Sequence, residues 1–445
     1  MRAHHRSILI RAKVMALTTA TATAGAALLL PFSPAQAGAA GPICGHQPTP
    51  SAAQRSSTIG VTKTSINVGN VAIISGPVPG LFEGAAFGAQ AYFAMVNAKG
   101  GVNGRRITLD SYDDAFSGTT NKQLVEQAAT KDFAMVGNFS LFDNYGCAAF
   151  AQNPAFPDVS QTLDPVTNSL PTTFSPTPVM PGGPLTAYQY FKARYPNAVT
   201  HVAALVANSD TAIAQWKGQQ AAMQHLGYRF GYFRLTSPIE TNYTADVVAM
   251  KKKGIKMVLM SFGTGQSYAA LEKTMAQQSF HPQVRVSNGP AYFADFVKLA
   301  GGPAVADGTW LVQGYSLYRG QDAKSVPAVK DFITWVKKEH PTFSPDLYTL
   351  FGWNSAQLFT QALRSAGSNP TRGSLLTALS KITKFDASGL AAPSNPAKKI
   401  PANCVMFAQI VKGRFTRVRP TAQKGWSCTQ PFWAPGRGNL PKVAP

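Results

Sequence analysis

The stretch that decides the fold is built around the turn Asn97-Ala98-Lys99-Gly100-Gly101-Val102-Asn103-Gly104-Arg105. Before this turn, apolar residues recur at helical spacing over residues 81–96, and residues 66–75 form an almost continuously apolar run. After it, residues 107–112 are predicted as a short strand, because the glycines end the helix. Continuously apolar strands are typical of parallel sheets covered by helices on both faces. Residues 68–137 therefore predict a βαβαβ unit and a doubly wound sheet.

The rest of the chain continues this alternation. Further strands are predicted at 133–137, 201–206, 228–235, 257–260 and 284–287, with a hairpin at 405–411 and 414–418. Further helices are predicted at 185–195, 210–226, 243–252, 266–277, 292–300, 329–340, 347–366 and 374–382. Two βα series in succession indicate an α/β fold with two parallel sheets.

The N-terminal sequence indicates an exported protein. Basic residues precede a mostly apolar run over residues 14–32, which ends in Ala35-Gln36-Ala37. This pattern predicts a signal peptide over residues 1–37, cleaved after Ala37, and an extracytoplasmic location on the periplasmic or cell-wall side. An uncleaved membrane anchor is the alternative, because the apolar run approaches spanning length.

The chain contains four cysteines, which is typical of two disulfides in an exported protein, although four cysteines permit three pairings. Cys404 and Cys428 flank the predicted hairpin, so we pair them with each other. Cys44 would then join Cys147. A lipid anchor on Cys44 is the alternative.

The formal net charge is +21, of which the first 37 residues contribute four. Because the basic residues are dispersed, we interpret the charge as a solvated basic surface. An anionic ligand, an anionic wall or membrane surface, or nucleic acid are the alternatives, and export argues against nucleic acid.

The sequence contains no pattern that predicts catalysis. The histidines that follow the predicted signal peptide are isolated, without the spacing of a metal site, and no Gly-x-Ser-x-Gly elbow is present. The carboxylate pair Asp113-Asp114 follows a predicted strand, where such residues usually cap a turn. We therefore expect no enzyme activity and no cofactor.

Several motifs, in this order, resemble the extracytoplasmic solute-binding proteins of ABC importers, and within them the leucine/isoleucine/valine-binding branch for branched-chain amino acids. The likeness runs from Gly60 to about Arg419. Besides the turn at 97–105, the motifs are Gly60-Val61-Thr62, Ile66-Asn67-Val68-Gly69, Ser75-Gly76-Pro77, Tyr112-Asp113-Asp114, Leu124-Val125-Glu126-Gln127, Gly352-Trp353-Asn354-Ser355-Ala356-Gln357-Leu358-Phe359 and Asn369-Pro370-Thr371-Arg372.

The resemblance implies a type I periplasmic binding protein fold, in which two doubly wound lobes are joined by a three-strand hinge. Residues 60–176 and 314–388 would form the first lobe, and residues 177–313 and 389–430 the second. Residues 38–59 and 431–445 would be tails, the former flexible. The hinge crossings would lie near 174–180, 312–315 and 387–391.

In open α/β sheets, ligands bind outside the carboxyl ends of the strands. By resemblance, Ser140, Gln161 and Thr162 would grip a ligand carboxylate from the first lobe, with Phe82 or Phe142 as a wall. Thr211, Thr264 and Tyr292 would close from the second lobe. For each serine or threonine, the alternative is a helix cap. Ser75, Gly76, Pro77 and Asp210 complete the predicted ligand-binding set.

One departure from the family pattern concerns the ligand's ammonium group. Amino-acid-binding members place an acidic residue in the loop that here reads Asn288-Gly289-Pro290-Ala291. A buried ammonium without a carboxylate partner is strongly disfavoured, so Asp143 or Asp210 would have to replace that acid. The resemblance therefore predicts a binder of small molecules more firmly than one of branched-chain amino acids.

The predicted function is that of a substrate-binding protein that captures an amino-acid-like or other small organic solute and delivers it to an ABC permease. The expected partners are this small-molecule ligand and the membrane permease, with no nucleic acid, and the expected state is a monomer. A ligand-sensing receptor domain of the same fold, without transport, is the alternative.

Overall fold

The computed structural model describes residues 44–421 and 425–444, and the signal peptide predicted at 1–37 lies outside them. The strands are β1 (Ser65–Ala72), β2 (Arg106–Asp113), β3 (Met135–Val136), β4 (Asp158–Val159), β5 (Gly183–Pro184), β6 (Val202–Ala207), β7 (Phe230–Thr236), β8 (Met257–Ser261), β9 (Val284–Ser287), β10 (Trp310–Gln313), β11 (Met406–Val411), β12 (Arg414–Arg419), β13 (Phe432–Ala434) and β14 (Gly438–Asn439).

The helices are α1 (Ala52–Arg55), α2 (Gly84–Ala98), α3 (Gly118–Lys131), α4 (Asp143–Gln152), α5 (Pro165–Ser169), α6 (Leu185–Arg194), α7 (Asp210–His225), α8 (Thr244–Lys252), α9 (Gly265–Gln277), α10 (Phe296–Leu299), α11 (Pro303–Ala306), α12 (Pro327–Glu339), α13 (Leu347–Ser365) and α14 (Arg372–Leu379). Two short 3-10 helices cover Gly289–Ala291 and Ala387–Gly389.

The first sheet has the order β2-β1-β3-β4, and its strands are parallel. Helices α12 and α13 return from late in the chain and pack on α2. The crossing of α2 and α13 is close because Gly88 and Gly352 lie at the contact. A Cβ atom on Gly88 would lie 1.8 Å from the carbonyl oxygen of Thr349. We call this sheet, with α2, α12 and α13, lobe 1.

The second sheet has the order β12-β11-β10-β9-β8-β6-β7, in which the five strands β6 to β10 are parallel and the hairpin β11–β12 is antiparallel. All six residues of β6 are buried. Ala203 and Leu205 pack in a core with α9, whereas Val202, Ala204 and Val206 pack in a second core with α6 and α7. Helices on both faces explain the continuous apolar run of this strand. We call this sheet, with α6 to α9, lobe 2.

Three segments near the predicted hinge crossings are joined by hydrogen bonds. Ser394 Oγ donates to the carbonyl oxygen of Pro176 at 2.6 Å. The backbone N–H of Ala392 donates to the carbonyl oxygen of Gly314 at 2.7 Å. The segment at residues 392–394 therefore hydrogen-bonds to each of the other two segments.

Several predicted element boundaries are wrong. The strand predicted over residues 133–137 is shortened to Met135–Val136, and the helix predicted over residues 374–382 ends at Leu379. The strand predicted over residues 66–75 ends at Ala72, because the N–H groups of Ile74 and Ser75 donate to the Asp113 carboxylate instead of to a neighbouring strand. The helix predicted over residues 292–300 is reduced to Phe296–Leu299.

The C-terminal segment 431–445, predicted as a tail, contains an ordered sheet. Strand β13 pairs with both β5 and β14, and the side chains of Phe432, Ala434 and Leu440 are buried against each other. Burial of these apolar side chains is the physical reason that this part of the chain is structured.

Two disulfides join the cysteine pairs expected from the sequence. Cys44 is bonded to Cys147 and Cys404 to Cys428, with Cα–Cα distances of 5.2 and 4.2 Å. In this structure Cys44 therefore has no free thiol for a lipid. Within the described residues, no helix has both the length and the hydrophobicity needed to cross a bilayer.

Candidate functional site

The loop after β3 is held by a buried hydrogen-bond network. Ser140 Oγ donates to the Asp114 carboxylate at 2.6 Å, and Asn121 Nδ2 donates to the same oxygen at 2.9 Å. Burial raises the pKa of Asp114, and these two hydrogen bonds oppose the rise. Ser140 Oγ also accepts from the backbone N–H of Phe142 at 3.0 Å. Ser140 thus supports the shape of the predicted ligand loop.

Gln161 and Thr162 follow β4 and are buried within lobe 1. Gln161 Nε2 donates to the carbonyl oxygen of Thr177 at 3.0 Å. Thr162 Oγ1 donates to Asn168 Oδ1 at 3.5 Å, a long and therefore weak bond. These two side chains lie beside Ser140, and all three line a small cavity of about 20 Å³.

Asp143 lines the same small cavity at the start of α4. Its Oδ2 accepts from the backbone N–H groups of Leu163 and Asp164, at 2.5 and 3.0 Å. Its Oδ1 is inaccessible to solvent and has no partner among the described residues, although the residue as a whole is half-buried. Burial, together with the nearby Asp164 carboxylate, raises the pKa of Asp143 to about 8.

Helix α7 of lobe 2 contacts the lobe 1 loops directly. Thr211 Oγ1 donates to the carbonyl oxygen of Leu141 at 3.5 Å, and Gln215 Nε2 donates to the carbonyl oxygen of Leu163. Both α7 residues are buried, whereas the neighbouring Asp210 is exposed. The carboxyl ends of the two sheets therefore meet at the first turns of α7, with Thr211 close to the loop that holds Ser140.

The side chains of Thr264 and Tyr292 both have hydrogen-bond partners within the protein. Thr264 is the N-cap of α9, and its Oγ1 accepts from the backbone N–H of Ser267 at 3.2 Å. The Tyr292 hydroxyl donates to Gln321 Oε1 and accepts from the backbone N–H of Arg319 at 3.4 Å. Tyr292 lines a separate groove of about 520 Å³, so the structure does not bring it together with Ser140 and Thr162.

The aromatic and turn residues of lobe 1 divide between core and surface. Phe82 is buried against Phe139 and Tyr348, at ring distances of 4.8 and 4.4 Å. Phe142 is half-buried against Phe116 at 5.2 Å. The remaining predicted residues, Ser75, Gly76 and Pro77, are exposed on the loop after β1.

The loop predicted to lack an acid adopts a 3-10 helix over Gly289–Ala291. Gly289 lies against lobe 1, because a Cβ atom on it would be 2.7 Å from the Leu347 side chain. A side chain at this position would therefore displace Leu347. Within the described residues, no cluster of histidine, cysteine, aspartate or glutamate could hold a metal ion.

A larger cavity, which the sequence reasoning missed, lies inside lobe 2 between the second sheet and helices α6 and α7. Its volume is about 240 Å³, and its walls are mainly aromatic and aliphatic, including Phe191, Trp216, Met223 and Met257. The sequence feature that could have indicated this cavity is its methionines, Met223, Met257 and Met260, since flexible methionine side chains are common at binding surfaces.

One end of the lobe 2 cavity is polar. Ser261, Asn288 and Gln313 line it at the carboxyl ends of β8, β9 and β10. Two buried polar atoms on lining residues, Trp216 Nε1 and Gln313 Oε1, have no hydrogen-bond partner among the described residues. Such unpaired buried atoms are uncommon in proteins and require an explanation.

Comparison with known proteins identifies the family. A profile of the periplasmic binding protein family matches residues 65–414, so the chain belongs to this family. The resemblance to solute-binding proteins described above is thereby confirmed. None of the curated proteins matches the chain.

The fold is that of the type I periplasmic binding proteins, and solved structures of several are similar to it. A fatty acid ABC transporter substrate-binding protein from Thermomonospora curvata has a TM-score of 0.69 and 18% identity, over 81% of this chain and 92% of that one. A branched-chain amino acid ABC transporter protein from Thermus thermophilus with bound valine has a TM-score of 0.68 and 15% sequence identity, over 80% of this chain and 96% of that one. The isoleucine complex of a branched-chain amino acid transporter substrate-binding protein from Streptococcus pneumoniae has a TM-score of 0.63 and 17% sequence identity, over 80% of this chain and 100% of that one.

Proposed function

We propose that this protein is the extracytoplasmic substrate-binding component of an ABC transporter. It captures a small organic solute between its two lobes and presents it to a membrane permease, without catalysis. The observation that carries the proposal is the meeting of both sheets' carboxyl ends at Thr211 and Gln215. Open α/β sheets bind ligands at this edge.

The motion expected of such a protein is closure of the lobes around the ligand. The three crossing segments provide the hinge, and short segments between two packed units are the usual hinge elements. The signal-peptide pattern over residues 1–37 supports export, and we propose that the mature protein acts as a monomer.

The Asp143 carboxyl limits the kind of polar group that the cleft accepts. With a pKa raised to about 8, Asp143 is mostly protonated at pH 7. A protonated carboxyl both donates and accepts hydrogen bonds, which suits an uncharged polar group or a carboxylate. Pairing with an ammonium would first require Asp143 to lose its proton, at a cost of about 1.4 kcal/mol at pH 7.

The proposal is supported by the similar structures, which include a fatty acid ABC transporter substrate-binding protein and proteins with bound valine or isoleucine. For this chain we therefore propose a solute that combines a polar head with an apolar part. Fatty acids, aliphatic amides and branched-chain amino acids all fit this description.

A thermal-shift screen tests the proposal. The mature protein is unfolded and refolded to remove carried-over ligand, then screened against amino acids, amides, urea, and aromatic, short organic and fatty acids. A ligand at one hundred times its dissociation constant adds about 2.7 kcal/mol to stability, which raises the midpoint by a few degrees. If no compound shifts a refolded protein with native circular dichroism, the proposed capture of these solutes is wrong.

Transport is tested separately from binding. Deleting the gene should abolish high-affinity uptake of the solute found in the screen, and a plasmid copy should restore it. Normal uptake in the deletion strain would contradict a transport role.

A further inference from the structure

We infer that the ligand has an apolar chain or ring of about eight carbon-sized groups, which the cavity inside lobe 2 holds; the inference rests on the function proposed above. Volume is the first step. The cavity measures about 240 Å³. An apolar cavity of about 150 Å³ suffices to bind benzene, and at roughly 30 Å³ per water-sized group this one holds about eight.

The chemistry of the walls is the second step. The lining includes no aspartate, glutamate, lysine, arginine or histidine. A charge placed inside it would be buried without a partner, which is strongly unfavourable. The ammonium and carboxylate of an amino acid therefore stay outside the cavity. The four-carbon side chain of leucine would fill only about half of it.

The polar end of the cavity sets the orientation of the ligand. Ser261, Asn288 and Gln313 lie at the sheet edge where ligands bind, whereas Phe191, Tyr228 and Met257 line the remainder. The polar head therefore lies toward the cleft between the lobes, and the apolar part extends into lobe 2.

Two unpaired atoms define a hydrogen-bonding requirement. Gln313 Nε2 donates to the carbonyl oxygens of Tyr315 and Ser316, at 3.1 and 3.2 Å, which leaves Gln313 Oε1 as an oriented acceptor. Trp216 Nε1–H is a donor. Gln313 and Trp216 are both more than nine-tenths buried. A ligand hydroxyl or primary amide, which both donates and accepts, can satisfy either atom.

The experiment uses unbranched primary amides from butanamide to dodecanamide as probes, measured by isothermal titration calorimetry on the refolded mature protein. Each methylene should tighten binding about fourfold up to roughly eight carbons, because one buried methylene contributes about 0.8 kcal/mol. Longer chains should bind no more tightly, since the cavity is then full.

Two methionine variants provide a matched pair. Met223 lines the cavity, whereas Met250 is equally buried in lobe 2 but lies outside the lining. Met223→Ala enlarges the cavity and should extend the series beyond the wild-type limit. Met250→Ala should lose about as much stability as Met223→Ala but keep the wild-type limit on amide chain length. The difference between the two variants therefore reports on the cavity and not on general destabilisation.

Four results would overturn the inference. Amide affinity that does not depend on chain length would show that the chain stays outside the cavity. Identical chain-length limits in the two methionine variants would show the same. If leucine or another short solute binds while no amide does, the proposed function stands and only the cavity inference is wrong. If no solute of either kind binds, both are wrong.

Discussion

Replacement of Asp143 by asparagine should make the protein less sensitive to pH. The folded protein holds this proton up to about pH 8, whereas the unfolded chain releases it near 3.8. Unfolding between these values therefore releases one proton from Asp143, so its contribution to stability falls as the pH rises, by about 1.4 kcal/mol per pH unit. Asp143→Asn removes this proton, and its amide oxygen can still accept from Leu163 and Asp164.

Urea unfolding followed by tryptophan fluorescence at pH 5, 6 and 7 measures the effect. From pH 5 to 7, wild type should lose about 2.7 kcal/mol relative to Asp143→Asn, because two pH units each contribute about 1.4 kcal/mol. Other titrating groups are shared by both proteins and cancel in the difference. Asp210→Asn removes a carboxylate from an exposed position and serves as the matched control. Parallel pH profiles for wild type and Asp143→Asn would refute the reasoning.

Three further predictions concern stability and closure. Replacing both Cys44 and Cys147 by serine should lower the free energy of unfolding in urea by about 4.7 kcal/mol, since the disulfide spans 103 residues. The denatured wild-type protein, with its disulfides intact, should show no free thiol on titration. Gly88→Ala should lower the free energy of unfolding by at least about 3 kcal/mol, because the new Cβ would lie 1.8 Å from a backbone atom of α13. Gly45→Ala is the control: no atom lies within 4 Å of its Cβ position, so stability should change by less than about 0.5 kcal/mol. Gln215→Leu removes a hydrogen bond between the lobes that contributes about 1 kcal/mol. The variant should therefore have a larger radius of gyration in small-angle X-ray scattering. An unchanged radius would contradict closure through this contact.

The structure also changes how the loop after β4 should be tested. From the sequence, a bulky replacement of Thr162 is expected to weaken ligand binding and leave the unfolding temperature nearly unchanged. Thr162 is only 3% exposed, so a larger side chain there would overpack lobe 1 and lower its stability. Loss of binding in such a variant would therefore not identify a ligand contact.

The sequence predicts candidate loops for the site, but it does not predict the hydrogen-bond partners of many side chains in them. Ser140 follows a buried strand and carries a hydroxyl, which is all that a ligand contact requires locally. Its hydroxyl is used by Asp114, 26 residues away in the chain. Hydrogen-bond partners of this kind depend on how distant segments pack, and no local pattern records them.

The short sheet at the C-terminus illustrates the same limit for the fold. Strand β13 has three residues and β5 has two, so neither is long enough to show alternation. They pair across more than 240 residues of chain. The disulfide pairing was easier to predict than this sheet, because each of the four cysteines can bond to only one of three others.

By itself, the sequence determined the order of the main strands and helices and the family, because apolar periodicity and turn residues are properties of neighbouring positions. It also predicted which edge of each sheet faces the ligand site that we propose. Only the tertiary structure decided which side chains there already have protein partners, and it revealed the cavity in lobe 2. That cavity is bounded by Phe191, Met257 and Val405, residues from three separate parts of the chain. Its volume is what their packed side chains leave unfilled, a quantity that no single segment contains.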